Sequence, residues 1–218
     1  MRRPEFVARQ SALPSGLLGR LIGHVMARET AAVNEAAVEL LDLRSTDAVL
    51  EVGFGHGATI ARVAAAVSGG HVSGVDPSPE MCAMASRRNR RAIEAGRVAL
   101  RQASGEALPF PEASFDKVLL VHAVYFWPDL APGFREIARV LRPAGRVVVV
   151  HRTDASAARE FPAAIYRFRE PAAVRNALEA AGLGCDEPML RVFGRATLCF
   201  QVARRPDLGL RSRSALAR

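Results

Sequence analysis

Hydrophobic runs and helix-spaced hydrophobic positions alternate through the middle of this chain. Residues 48–52 are apolar around one acid and predict a buried strand; residues 58–67 predict a helix, closed by Gly69-Gly70. Residues 71–75 predict a second strand, and 79–95 a helix ended by Gly96. A short third strand is predicted at 98–101, a fourth at 115–121, a helix at 130–141 and a fifth strand at 145–151. The fifth carries four consecutive valines, 147–150. Such runs suit strands buried on both faces, as in a parallel sheet covered by helices. Strand and helix alternating in this way mark a doubly wound α/β domain.

The flanks read differently. Residues 1–14 look loose. From Ser15, a candidate N-cap, to Leu43 the pattern is helical, with Leu17, Leu21, Val25, Val33, Ala37, Leu40 and Leu41 on spacings built from three and four. Residues 152–170 are polar, charged and aromatic by turns and are expected to form a lid or an irregular helix. A helix follows at 172–181, with Pro171 at its start and Gly182 at its end. Two strands, 188–193 and 196–203, flank a Gly194-Arg195 hairpin turn. The expected fold is therefore a seven-stranded, mostly parallel sheet with an antiparallel C-terminal hairpin strand, helices on both faces and an N-terminal helical cap. The expected organisation is a cap and substrate lid at 1–44, a ligand-binding domain at 45–205 and a basic flexible tail at 206–218.

Composition narrows the setting. The 218 residues suffice for one α/β domain with a proper core. No apolar run reaches the ~18 residues of a membrane span. The start, MRRPEFVARQ, is basic with no apolar stretch behind it, so neither a secretory nor a twin-arginine signal is expected and the expected location is cytoplasmic. Cys82, Cys185 and Cys199 form no C-x-x-C pair, so neither a metal site nor a disulfide framework is indicated; Cys82 and Cys199 are expected as buried thiols. The net charge of +8 invites a polyanion. Yet Lys117 is the only lysine, and an arginine- and alanine-rich composition is what a GC-rich genome produces. The basic clusters, RRNRR at 87–91 and the last eight residues, have no interleaved aromatics. That speaks against a nucleic-acid partner.

The chemistry concentrates in VLEVGFGHGATI, residues 49–60. Three alternating glycines between a strand and a helix let backbone groups touch a ligand directly. By count the loop fits the G-x-G-x-x-G/A pattern of dinucleotide enzymes. Glu51, two residues before Gly53, opposes that ligand: a carboxylate there repels a pyrophosphate and suits a cationic amine. Asp76 closes the second strand, where it can accept from ribose hydroxyls of either ligand.

Downstream lie SGEALPFPEASFDKVLL (104–120) and LRPAGRVVVV (141–150). With these pieces in order, the chain resembles the class I S-adenosylmethionine-dependent methyltransferases, a Rossmann-like family, and within it the branch of the quinone-biosynthesis C-methyltransferases. The resemblance is strong over about residues 45–152 and weaker to about 203. It implies that Glu51 and the loop of Gly53, Gly55 and Gly57 hold the methionine end of the cofactor. It implies Asp76 on the ribose, Pro77, Ser78 and Met81 bordering the adenine, and Ser104, Gly105 and Glu106 at the adenine edge. His122 would line the space near the sulfonium. Two residues depart from the family pattern. Ser104 stands where Asp is common, and Ala144 replaces a glycine, which is tolerable if its φ stays negative.

The resemblance implies methyl transfer to a small-molecule acceptor by in-line displacement, leaving S-adenosylhomocysteine. His122 and Tyr125 are the candidate catalytic residues, with His151 and Arg152 nearby. Phe126 and Trp127 are expected to pack, Asp129 to cap the next helix, and His56 to point away from the ligand. His24 is a further candidate if the N-terminal helix covers the pocket. The acceptor pocket is expected from residues 6–34 and 152–170. A lipid or quinone acceptor, with peripheral membrane contact, is an alternative that the basic charge allows. RNA is another, opposed by the absence of the (Asn/Asp)-Pro-Pro-aromatic motif where VHAVYFWPD stands; cytosine-C5 methylation would need a Pro-Cys pair, which is absent. A non-catalytic cofactor-binding domain is the remaining alternative. The sequence indicates no oligomeric state.

Overall fold

A computed structural model describes residues 5–16, 19, 29–153, 162, 165–167 and 170–207. Strands β1 (Ala48–Val52), β2 (His71–Asp76), β3 (Val98–Gln102), β4 (Phe115–Val121) and β5 (Leu141–Arg152) run parallel in the order β3-β2-β1-β4-β5. Strand β8 (Ala196–Arg204) pairs antiparallel with β5. Its outer edge is shared by β6 (Gly184–Cys185) and β7 (Met189–Phe193). The sheet thus has eight strands where the sequence predicts seven. The extra one, β6, has two residues, too few for any periodicity to reveal it.

Among the described residues the α-helices are α1 (Glu5–Ala12), α2 (Ala31–Leu41), α3 (Ala58–Ala66), α4 (Pro79–Arg88), α5 (Arg90–Glu94), α6 (Leu130–Val140) and α7 (Pro171–Ala180). Successive strand residues point to opposite faces, and both faces here are covered. Leu50, Val52, Val118, Leu120, Val147 and Val149 pack against Phe134 and Ile137 of α6 and Val174 and Leu178 of α7. Val49, Leu119, Val148 and Val150 pack on the other side, against Val33, Ala37 and Leu41 of α2 and Ile60 and Val63 of α3. This double coverage is why β4 and β5 carry the apolar runs 118–121 and 147–150, and why β1 is apolar apart from Glu51. It also leaves the carboxyl ends of β1, β2 and β4 as the open rim where a ligand can sit.

Several expectations are corrected. Residues 5–12 are helical rather than loose, with Ala8 of α1 buried against Tyr125 and Tyr166. The helix expected at 79–95 breaks at Asn89, whose buried amide donates to Ala85 O (2.9 Å) and to Gly57 O (3.0 Å). Of the long N-terminal helix, α2 is described; residues 17, 18 and 20–28, with His24, lie outside the described residues, as do most of the expected lid at 154–169 and the tail beyond Asp207. Ala144 sits at φ 62°, against the expected negative value. Its N–H donates to Arg205 O and Gly145 O accepts from Arg205 N, both at 3.0 Å, and this pair of bonds holds a conformation that costs a non-glycine residue about 1–2 kcal/mol. Cys199 is buried, whereas Cys82 is only half-buried. No helix among the described residues is long and apolar enough to cross a membrane.

Candidate functional site

A cavity of about 250 Å³ opens at the carboxyl ends of β1, β2 and β4. Glu51, Gly53, Gly55, Asp76, Pro77, Met81, Ser104, Gly105, Glu106 and His122 all line it. Gly57, Ser78 and Tyr125 do not.

The glycines of the loop do different work. Gly55 has φ 54° and its missing side chain faces open space, with nothing within 4 Å of where a Cβ would be. Gly57 begins α3 at φ 77°, and a Cβ there would lie 2.6 Å from Ala85 Cβ and 2.7 Å from Asn89 Nδ2. Its missing side chain permits the close approach of α3 to α4.

Two carboxylates stand beside the loop. Asp76 is buried; its Oδ2 accepts from Gly55 N and its Oδ1 from Ser78 N, each at 2.9 Å. Burial raises its pKa, and those two backbone bonds pull it back. Glu51 is 5 % exposed. Burial first, then the charge of Asp76, raise its pKa well above the usual carboxylate range, and a hydrogen bond from the Thr59 hydroxyl opposes them. Its Oε2 is buried with no hydrogen-bond partner among the described residues. A buried, half-satisfied carboxylate is costly unless a cation or donor meets it. This arrangement calls for a positively charged group and disfavours a pyrophosphate.

Ser78 is fully buried for another reason. Its Oγ accepts from Met81 N (3.2 Å) as the N-cap of α4 and donates to Pro14 O (2.6 Å). Gly16 N donates to Glu80 Oε1 at 2.9 Å. These bonds bring the N-terminal segment over the rim, so that Ala12 and Pro14 line the cavity together with Thr30 and Asn34. No periodicity in the sequence signals these contacts. On the opposite wall, Phe126 and Trp127 line the cavity as well as pack. The Trp127 indole is held between two glycines: a Cβ would lie 2.6 Å from it at Gly105 and 2.4 Å at Gly133. Asp129 caps α6 as expected, accepting from Ala131 N at 3.0 Å.

His122 leaves β4 with φ 59°, its N–H donating to Val150 O at 2.9 Å. Its Nδ1 lies 2.9 Å from the Tyr125 hydroxyl, and that hydroxyl accepts from Arg152 N. Burial lowers the His122 pKa to about 4, with the positive charges of Arg152 and His151 adding to the effect. Tyr125 is thus behind His122 rather than facing a substrate. His56 corrects an expectation in the other direction: it lines the cavity, with Nδ1 accepting from Ala58 N at 3.2 Å. His151 is wholly buried away from the cavity, with no hydrogen-bond partner on either ring nitrogen among the described residues.

The cavity therefore combines a side-chain-free approach at Gly55, an unsatisfied buried carboxylate, a second carboxylate 21 residues on from Gly55, and a wall of Met81, Phe126 and Trp127. A ligand with a cationic amine, vicinal hydroxyls and a flat ring fits these groups. The family profile for a methyltransferase domain matches residues 50–149. The uncharacterized methyltransferase YdaC of Bacillus subtilis is 32 % identical over 129 residues, spanning 59 % of this chain and 69 % of YdaC. A demethylmenaquinone methyltransferase of Tropheryma whipplei is 36 % identical over 133 residues, 61 % of this chain but only 52 % of that protein. A structure of a methyltransferase complex with the Haloferax volcanii Trm112 activator superposes with TM-score 0.71 at 20 % identity, covering 94 % of this chain and 100 % of that one; at that identity it speaks for the fold alone. The chain belongs to the class I S-adenosylmethionine-dependent methyltransferases.

Proposed function

We propose that this protein methylates a small-molecule acceptor with S-adenosylmethionine as the methyl donor. The observation that carries the reading is the buried, unpartnered Oε2 of Glu51 beside the Gly53–Gly55 hollow. The ammonium of the cofactor's methionine end would satisfy it. Asp76, already fixed by Gly55 and Ser78, would accept from the ribose hydroxyls. Pro77 and Met81 would border the adenine, and Ser104, Gly105 and Glu106 its edge; Ser78 would act through the N-cap of α4. Bound S-adenosylmethionine supplies a methyl group on a sulfonium, whose positive charge makes the thioether a good leaving group.

The protein's share of the work is placement. Holding reactants in line can be worth about 7–11 kcal/mol in favourable cases. His122 and Phe126 line the part of the cavity reached from β4, and the N-terminal segment contributes Ala12 and Pro14 to its lining. In this reading residues 1–44 cover the site, 45–205 bind the cofactor, and 206–218 form a tail.

A lipid or quinone acceptor at a membrane surface is the second reading. Phe6 and Leu13 are exposed on the segment that carries cavity-lining Ala12, and the Tropheryma whipplei relative carries the name of a demethylmenaquinone methyltransferase.

Calorimetry with S-adenosylhomocysteine and with NADH tests the main reading. Binding of the first and not the second is expected; the reverse overturns it. Flotation with anionic vesicles tests the membrane reading: co-flotation supports it, and full recovery in the bottom fraction refutes it.

A further inference from the structure

We propose that Tyr125 is a positioning residue that fixes the His122 proton on Nε2, so that His122 offers the methyl acceptor a hydrogen-bond donor and not a general base. The inference rests on the methyltransferase reading for the identity of what occupies the cavity, but not for the state of the imidazole.

A backbone amide can only donate, so Arg152 N–H takes a lone pair of the Tyr125 oxygen. Accepting that bond polarises the phenolic O–H and strengthens it as a donor. His122 Nδ1 lies 2.9 Å from the same oxygen, within range to receive it. The chain then runs Arg152 N–H to Tyr125 O–H to His122 Nδ1. An imidazole that accepts at Nδ1 while neutral carries its proton on Nε2. Burial and the positive charge of Arg152 keep the ring neutral near pH 7. Tyr125 is buried outside the cavity, whereas His122 lines it, so Nε2 is the nitrogen left for a ligand. The left-handed backbone at His122, φ 59°, is a strained conformation for a residue with a Cβ. It is held by the bond from His122 N to Val150 O.

A donor in this place has a chemical consequence. Nε2 has no lone pair with which to take a proton from the acceptor. An acceptor served by this site arrives with its lone pair already free, and an enolate or phenolate oxygen is the group an Nε2–H holds best. As the acceptor's electron pair forms the new bond to the methyl carbon, the carbon–sulfur bond breaks and its pair stays on sulfur. His122 gives up no proton in that step.

The test is the tautomer itself. Long-range proton–nitrogen correlation spectra of the ¹⁵N-labelled full chain at pH 7, alone and with S-adenosylhomocysteine, report each imidazole nitrogen. The His122 signals are identified by their loss in His122→Asn, asparagine being tolerant of the left-handed backbone. The expected result is an unprotonated Nδ1 and a protonated Nε2, with the Nδ1 resonance shifting in Tyr125→Phe while affinity for S-adenosylhomocysteine stays within twofold. A protonated Nδ1 in the wild-type chain overturns the proposal, and so does an Nδ1 resonance that ignores Tyr125→Phe. Should Tyr125→Phe fail to fold, the wild-type spectrum decides alone. Failure to bind S-adenosylhomocysteine would instead refute the methyltransferase reading, and it is read from a separate measurement.

Discussion

The Asp76 carboxylate accepts a hydrogen bond from the backbone amide of Gly55 at 2.9 Å, tying the end of β2 to the middle of the glycine loop. One side chain thus shapes the loop and faces the cavity. Replacing Asp76 with Ala removes both functions. Affinity for S-adenosylhomocysteine is expected to fall at least tenfold, since charged hydrogen bonds are each worth about 1.5–3 kcal/mol. Calorimetry checks it, and an unchanged affinity would remove Asp76 from the site.

Glu51 should show opposite effects on stability and on binding. Its raised pKa means the folded chain holds the proton more tightly than the unfolded chain does. The carboxyl therefore stabilises the fold relative to its ionised form at low pH, and that contribution is lost as pH rises through the folded pKa. At pH 7 Glu51→Gln should raise the melting temperature of the unliganded protein, with no gain below about pH 4. The same change should weaken S-adenosylhomocysteine more than Ser104→Ala does. Paired melting curves and titrations separate the two effects; the opposite ranking in the titrations would place the cofactor's amine elsewhere.

His151 predicts acid sensitivity. Burial lowers its pKa to about 4, with the Arg152 backbone opposing, against about 6.5 when unfolded. The depressed value gives a contribution fully present above pH 6.5 and lost as pH falls toward 4. Its ceiling is about 3 kcal/mol. Urea unfolding at pH 7 and pH 4.5 should show a loss that is smaller in His151→Phe. An equal loss in the variant would assign the sensitivity to other groups.

Gly55 and Gly57 separate binding from folding. Gly55→Ala meets no neighbour and costs only its left-handed backbone, about 1–2 kcal/mol, but it places a methyl group where the ligand is proposed to approach. Gly57→Ala carries that strain and also a 2.6 Å clash with Ala85, so a further 1–3 kcal/mol of about that order is expected. Gly55→Ala should chiefly weaken S-adenosylhomocysteine binding and Gly57→Ala chiefly lower the melting temperature. Equal melting temperatures would refute the packing role given to Gly57.

That pair also shows what sequence can and cannot carry. Both glycines sit in one alternating motif with positive φ, and only the neighbours of their absent side chains tell them apart. Strands β4 and β5 were legible because burial on both faces leaves apolar runs at 118–121 and 147–150, and β1 because Glu51 is its one polar residue. Glu51, Asp76 and Met81 were legible through spacing from the loop and the family resemblance, and all three line the cavity. The break at Asn89 depends on a bond to Gly57 O, 32 residues away, and the place of Pro14 on a bond from Ser78, 64 residues away. Such contacts leave no period in the chain. Ser78 and Tyr125 are near the expected places but act through a neighbour, Ser78 through the α4 cap and Tyr125 through its bond to His122.

Trp127, wedged between Gly105 and Gly133 on the cavity wall, is the single tryptophan of the chain. Its emission under ultraviolet excitation comes from one place only. Filling the cavity changes the polarity and quenching around that indole, so the protein carries its own optical gauge of occupancy. Candidate acceptors can be ranked against it by fluorescence before any product is identified.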